Sequence, residues 1–138
     1  MKRILVLKSL FSSAHFYKND QFSEGENKKS FGRCFTEYGH GHNYCLEVGF
    51  QMKQSWTNNE LFLQKTKLLK IIQQLTNRLD HEHLNFVIPE FKKVVPTSEN
   101  ILLYFEKKIS QGLLKTELAF IKLSEADDLW SEKYYVTK

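Results

Sequence analysis

Two stretches of the chain alternate apolar and polar residues with a period of two. Over residues 4–16, Leu5, Leu7, Phe11 and His15 fall on one side; later Tyr44, Leu46, Val48 and Phe50 do the same. This period predicts two β-strands, each turning one face to a core. Between them residues 18–29 are polar, hold Asn19-Asp20 and Glu24-Gly25, and read as a loop. The second strand runs to about Gln54, and Trp56-Thr57-Asn58-Asn59 reads as a turn. Residues 60–62 fit either a strand or a helix start. From Lys67 the period changes: Leu68, Ile71, Ile72, Leu75 and Leu79 form one stripe of a helix, which ends in Asp80-His81-Glu82-His83-Leu84-Asn85. Pro89 and Pro96 bracket an irregular segment. Thr97 or Ser98 caps a second helix with the stripe Ile101, Leu102, Phe105 and Ile109, and Gly112 stops it. Residues 118–124 and 129–136 predict a closing hairpin around Asp127-Asp128. The order ββ-α-α-ββ defines an α+β fold, an antiparallel sheet backed by two helices, with residues 1–138 as one domain.

Composition narrows the class. A chain of 138 residues can bury a core without disulfide staples. The net charge of +4 is too diffuse for a nucleic-acid footprint and suits a small polyanionic substrate equally well. No apolar run approaches membrane-spanning length, so no membrane partner is expected. The start, Met1-Lys2-Arg3-Ile4-Leu5-Val6-Leu7, imitates a signal peptide, but the apolar run breaks at Lys8 and alternates afterwards, as a first strand does. With no export signal read, Cys34 and Cys45, far from any CxxC pattern, are expected as free thiols in a reducing cytoplasm.

The chemistry concentrates in Gly39-His40-Gly41-His42-Asn43-Tyr44. His40 and His42 stand at i and i+2, on the strand face of Tyr44, Leu46, Val48 and Phe50. Two imidazoles on one face can reach a single metal ion, and His15 on the other predicted strand offers a third. Three histidines around zinc leave the fourth position open, the catalytic arrangement. The other reading of these residues is ordinary strand histidines bonded to hydroxyls or carbonyls. Cys34, beside Arg33, can serve as nucleophile or base if nearby cations favour its thiolate, or it is a small buried hydrophobe. Cys45 falls on the opposite strand face and is expected to pack. Asp80-His81 reads as an oriented acid/base pair, or as a helix end with His81 on the dipole; adjacent residues seldom face each other, so the pair is expected to act through a turn or another subunit. His83 reads only as part of that helix end. Glu125 closes a strand face otherwise made of Ala119, Ile121 and Leu123. A shielded carboxylate there can hold the edge of a guanidine-like heterocycle, and a solvent-facing hairpin end is the alternative.

The motifs Phe11-Ser12-Ser13-Ala14-His15, Phe31-Gly32-Arg33-Cys34, Gly39-His40-Gly41-His42-Asn43-Tyr44, Leu79-Asp80-His81-Glu82-His83-Leu84, Pro96-Thr97-Ser98-Glu99-Asn100 and Glu125 span nearly the whole chain. In this order they resemble 6-pyruvoyl-tetrahydropterin synthase and its relative 6-carboxy-tetrahydropterin synthase. The resemblance implies the tunnelling fold (T-fold), ββααββ subunits whose sheets join into a barrel, usually as a hexamer of two trimers. It implies 7,8-dihydroneopterin triphosphate as substrate and one Zn2+ per subunit on His15, His40 and His42, with Mg2+ assisting at the triphosphate. Cys34 would then be the general base, and Asp80 and His81 would relay protons at a subunit boundary. Glu125 would anchor the pterin, with Thr97 and Ser98 nearby. Two departures bear on the product. Glu60-Leu61-Phe62-Leu63-Gln64 stands where the family usually has Asp or Asn before the first helix, and the second half of the Pro96-Thr97-Ser98 motif looks more carboxy-type. The alternatives are therefore a carboxy-type lyase feeding queuosine (7-deazaguanine) synthesis and a non-catalytic purine- or pterin-binding T-fold protein. Against the latter, pure binding needs Glu125 but no base.

Overall fold

The computed structural model describes residues 2–112 and 117–135. Strands β1 (Arg3–His15) and β2 (His40–Met52) pair antiparallel along their whole length, from Arg3 opposite Met52 to His15 opposite His40. Helix α1 (Glu24–Phe31) and a 3₁₀ turn (Gly32–Cys34) lie between them. Helix α2 (Asn58–Leu79) follows, then the two-residue strand β3 (Glu82–His83), the single turn α3 (Leu84–Val87) and a second 3₁₀ turn (Pro89–Lys92). Helix α4 (Ser98–Gly112) and the hairpin of β4 (Leu118–Ala126) and β5 (Leu129–Tyr134) complete the described order. Val136, expected at the end of the last strand, lies outside the described residues. The sheet order is β3-β1-β2-β4-β5. It is antiparallel except where β3 runs parallel to β1 at Ser13 and Ala14.

The core fills one face of this sheet. Leu7, Phe11, Tyr44, Leu46, Val48, Phe50, Ile121 and Leu123 meet the stripes Leu68, Ile72, Leu79 of α2 and Ile101, Leu102, Phe105, Ile109 of α4. Each fully buried side chain of this kind stabilises the fold by roughly 1.5–3 kcal/mol. Phe11 stacks on Tyr44 at 4.9 Å between centroids and meets Phe105 edge-on at 5.6 Å. The small polar residues on the same face of β1 tie it to α2: the hydroxyls of Ser9 and Thr76 bond at 2.7 Å, and Ser13 Oγ donates to the carbonyl of Leu79 at 2.5 Å. The second bond satisfies one of the carbonyls that a helix end leaves unpaired.

The sheet does not close on itself. β5 has a free long side among the described residues, and β3 covers β1 only at Ser13 and Ala14. The outer face carries exposed Ile4, Val6, Leu10 and Trp130, and Glu47 bridges Lys8 (3.1 Å) and Lys122 (3.7 Å). Among the described residues no helix is long and apolar enough to cross a membrane.

Several elements differ from the sequence expectation: residues 82–85, read as the end of a helix, belong to β3 and α3, and β3 adds a parallel pairing to the sheet. Residues 24–29, the second half of the segment read as loop, are helical and belong to α1. Ser23 caps α1 by accepting from Glu26 N–H, but its anchor is an amide, not an apolar stripe. Buried Asn27 donates through Nδ2 to the carbonyls of Asn19, Phe22 and Ser23 and accepts from Asn19 N–H, so hydrophobic periodicity cannot reveal the helix. Of the two readings left open for residues 60–62 the helix holds: α2 starts at Asn58, ahead of the stripe that begins at Leu68, because Thr57 and Glu60 form a reciprocal capping box. Exposed Phe62 and Leu63 in its first turns blur the stripe.

Candidate active site

The full-length register of β1 and β2 decides the site. It sets His15 opposite His40, with His42 two residues further along β2 on the same face. Their ring centroids lie 4.9 Å (His15 to His40), 5.1 Å (His15 to His42) and 4.8 Å (His40 to His42) apart. One nitrogen from each lies within 4.8 Å of the others, close enough to converge on one ion after small ring rotations. The donor set suits a borderline-soft dication.

His15 is wholly buried, and its Nδ1 sits 2.8 Å from Tyr44 Oη. Its Nε2 is buried without a hydrogen-bond partner. An orphaned buried nitrogen facing two other imidazoles is what a metal ligand looks like before its ion is counted. Ligation through Nε2 requires Nδ1 to carry the proton and donate to Tyr44 Oη, an outer hydrogen bond that orients the imidazole. Burial, then His42 and His40, hold the His15 pKa down to about 3, so the ring stays neutral and able to ligate at any ordinary pH. His42 is also lowered, by burial and His40, against the opposing pull of Glu125.

Glu125 reaches this cluster from β4, only 6% exposed. Its Oε1 lies 3.5 Å from His15 Nε2 and 3.3 Å from His42 Nε2. The alternative of a solvent-facing hairpin end is therefore excluded. The hydroxyls of Tyr17 and Tyr44 are pushed up by burial and by the Glu125 charge, so both remain protonated donors.

Cys34 ends the first 3₁₀ turn with Sγ 3.9 Å from His40 Nε2. Its carbonyl accepts from Tyr17 N–H at 2.7 Å, which fixes the turn against the segment leaving His15. Arg33 is exposed and does not set the thiol's acidity. Burial and Glu125 push the Cys34 thiol up, so thiolate formation here calls for a cation in the cluster. Cys45 lies on the other face of β2, as expected, beside Glu47, Lys8 and Lys122.

Asp80 and His81 do face each other directly. His81 takes a left-handed φ of 60°, which folds its ring back so that Nδ1 meets Asp80 Oδ2 at 2.8 Å. Asp80 Oδ1 accepts from Ser12 N–H at 2.8 Å, and that bond, then His81, holds the carboxyl below its ordinary range. The His81 side chain is 84% exposed. Among the described residues no hydrogen bond or ion pair joins this dyad to Cys34 or the three histidines; His81 lines a cleft of about 520 Å³ together with His42, Ser12 and Asn43.

Thr97 Oγ1 caps α4 by accepting from Asn100 N–H at 3.2 Å, and buried Ser98 bonds its hydroxyl to Ser131 at 2.9 Å. His83, which read as a simple helix end, instead turns inward: its Nε2 lies 3.1 Å from Tyr38 O. The signal for it was present as a second His-x-His, His81 and His83, at the end of α2.

A helix-backed sheet holding three convergent imidazoles, a buried carboxylate and an adjacent thiol defines a class of metal-capable α+β enzymes. The family model described as 6-pyruvoyl tetrahydropterin synthase matches residues 4–134, and the chain belongs to that family. It is 34% identical over 128 residues to 6-pyruvoyl tetrahydrobiopterin synthase of Dictyostelium discoideum, covering 91% of this chain and 90% of that protein. The human protein of the same name is 30% identical over 119 residues, covering 86% and 81%. The structure of Caenorhabditis elegans 6-pyruvoyl tetrahydropterin synthase superposes with a TM-score of 0.80 over 97% of both chains, at 27% identity.

Proposed function

We propose that this chain, as one domain over residues 1–138, is a zinc-dependent carbon–oxygen lyase. It converts 7,8-dihydroneopterin triphosphate to 6-pyruvoyl-tetrahydropterin and releases inorganic triphosphate. The observation that carries this reading is the orphaned Nε2 of buried His15, facing His40 and His42, with Cys34 Sγ 3.9 Å from His40 and the Glu125 carboxylate alongside. Family membership supports the reaction class.

Each group has a role consistent with its surroundings. His15, His40 and His42 would hold the zinc, which when bound would supply Lewis-acid polarisation of the substrate's side-chain oxygens and so acidify the attached C–H. Cys34 takes a proton from the side-chain carbon as general base. Glu125 accepts the pterin 2-amino and N3–H in parallel on its two oxygens, and the segment of Thr97 and Ser98 flanks the ring. Asp80 orients His81, which passes protons at the rim. The electrons given up by the side-chain carbon reduce the ring's C6=N5 bond, so no external reductant is needed. Elimination of the triphosphate leaves an enol that becomes the second ketone. Mg2+ accompanies the triphosphate.

The open sheet edges and the exposed His81 support a homo-oligomer, a hexamer of two trimers, in which a neighbouring subunit covers the rim. Free Cys34 and Cys45 are in keeping with a cytoplasmic setting.

Incubating zinc-loaded protein with 7,8-dihydroneopterin triphosphate and weighing the products by mass spectrometry tests the proposal. A 6-pyruvoyl product with free triphosphate is expected. A 6-carboxy product moves the chain to the queuosine-pathway lyase, and bound but unchanged substrate leaves a pterin-binding protein.

A further inference from the structure

The loop 35–39 joins the proposed base to the metal-bearing strand, from Cys34 to His40. Its two ends are pinned by backbone bonds: Tyr17 N–H donates to Cys34 O at 2.7 Å, and β2 begins with His40 opposite His15. Between those points the loop must turn sharply. Gly39 does this with φ 77°, a conformation that side chains disfavour. A Cβ at Gly39 would collide with the carbonyl of His15 and come within 3.2 Å of His83 Nε2. The chain therefore threads a gap between the backbone of β1 and the imidazole of His83.

His83 is fixed for this purpose. It pairs with Ala14 in the parallel β3–β1 ladder, one residue from His15. Its ring lies 4.4 Å from that of Phe86 and 5.4 Å from that of Phe16. A carbonyl only accepts, so Nε2 carries the proton and donates to Tyr38 O at 3.1 Å. Phe16 is itself held by Asn85, whose Oδ1 accepts from Phe16 N–H at 2.9 Å and whose Nδ2 donates to Phe16 O at 3.0 Å. The bond is thus made from a packed support to the carbonyl just ahead of Gly39.

We propose that His83 is a positioning residue: its bond to the Tyr38 carbonyl clamps the 35–39 loop and sets the orientation of His40 relative to Cys34 and to the other two imidazoles. The clamp rises from the same short segment that carries Asp80 and His81, so one strand end fixes both the rim dyad and the approach to the metal cluster. The metal-geometry part rests on the proposed zinc site; the loop clamp stands without it.

The test uses the full-length protein with Cys45→Ser, so that alkylation by iodoacetamide reports on Cys34 alone. His83→Leu keeps the packing but cannot donate; His83→Gln offers an amide N–H near the position of Nε2. In His83→Leu we expect faster Cys34 alkylation, about tenfold weaker zinc retention against a chelator and a shifted visible spectrum of the Co2+-loaded protein, with an unchanged far-ultraviolet circular dichroism spectrum. His83→Gln is expected to restore all three towards the parent. If His83→Leu folds poorly, His83→Asn, too short to reach Tyr38 O, takes its place. Parent-like alkylation in the non-donating variant overturns the clamp, as does failure of His83→Gln to rescue it. Absence of Co2+ or Zn2+ binding by the parent protein overturns the zinc reading instead, while the alkylation rates still decide the clamp.

Discussion

Among the described residues two carboxylate–imidazole groupings stand out, and they are built in opposite ways. At Asp80–His81 the partners are mutually satisfied at 2.8 Å and the ring stands in solvent. At Glu125 a buried carboxylate lies 3.3–3.5 Å from two imidazoles, and one nitrogen, His15 Nε2, has no hydrogen bond at all. An exposed pair is screened by water and needs nothing more. A buried, incompletely satisfied one is costly until a guest arrives. The contrast separates a receptor for metal and substrate from a rim device that gains strength only when another surface excludes water from it.

The comparison breaks first, and hardest, at the metal. His42→Ala should leave the fold intact and reduce bound zinc from about one equivalent per chain to near none, with turnover lost, because two imidazoles hold the ion poorly. A full complement of zinc in that variant would falsify the three-histidine assignment. Next comes the base: Cys34→Ala should keep its zinc yet lose on the order of 10²–10⁴ in turnover, while Cys45→Ala, on the far face, changes little. The reverse pattern would mean the wrong face of β2 carries the chemistry.

If the rim dyad serves a neighbour's site, Cys34→Ala and His81→Ala chains, each inactive, should complement one another. Refolded together in equal amounts, about a quarter of sites would pair a good Cys34 with a good dyad and recover that share of activity. No recovery in mixed oligomers would place the dyad's action within its own chain.

Glu125→Gln sharpens the other half of the contrast. One acceptor becomes a donor and meets a pterin N–H, so substrate binding should weaken by about 2–3 kcal/mol, with zinc content unchanged. Calorimetric titration with a pterin showing parental affinity would remove the anchoring role. The smallest effect is on the metal-free protein in acid. The folded pKa of His15, about 3, lies below the ordinary 6.5, so the unfolded chain binds the proton first. Stability is then fully present above about pH 6.5 and declines as pH falls from there towards about 3. The urea midpoint should be lower at pH 5 than at pH 7.5, and the difference should shrink in His15→Gln. An equal pH dependence in that variant would trace the effect to other groups.

Much of this was legible in the residue order. The two-residue period of β1 and β2 set which side chains face inward, and it placed His15, His40 and His42 on one face and Cys45 on the other, because strand geometry is local. The stripes of α2 and α4 followed from helical periodicity in the same way. Other features depended on contacts distant in sequence. Helix α1 hangs on the amide of Asn27, which carries no hydrophobic signal. The shielding of Glu125 depends on β4 lying beside β2, across the sheet from β1. The direct meeting of Asp80 with His81 needed a left-handed φ at His81, whose N–H donates to Ser12 O. His83 had only a helix-end reading until β3 joined β1 and Tyr38 arrived from 45 residues away. Periodicity reports which face a side chain occupies; only the folded chain decides what waits for it there, since hydrogen-bond partners and burial come from segments that sequence spacing does not connect.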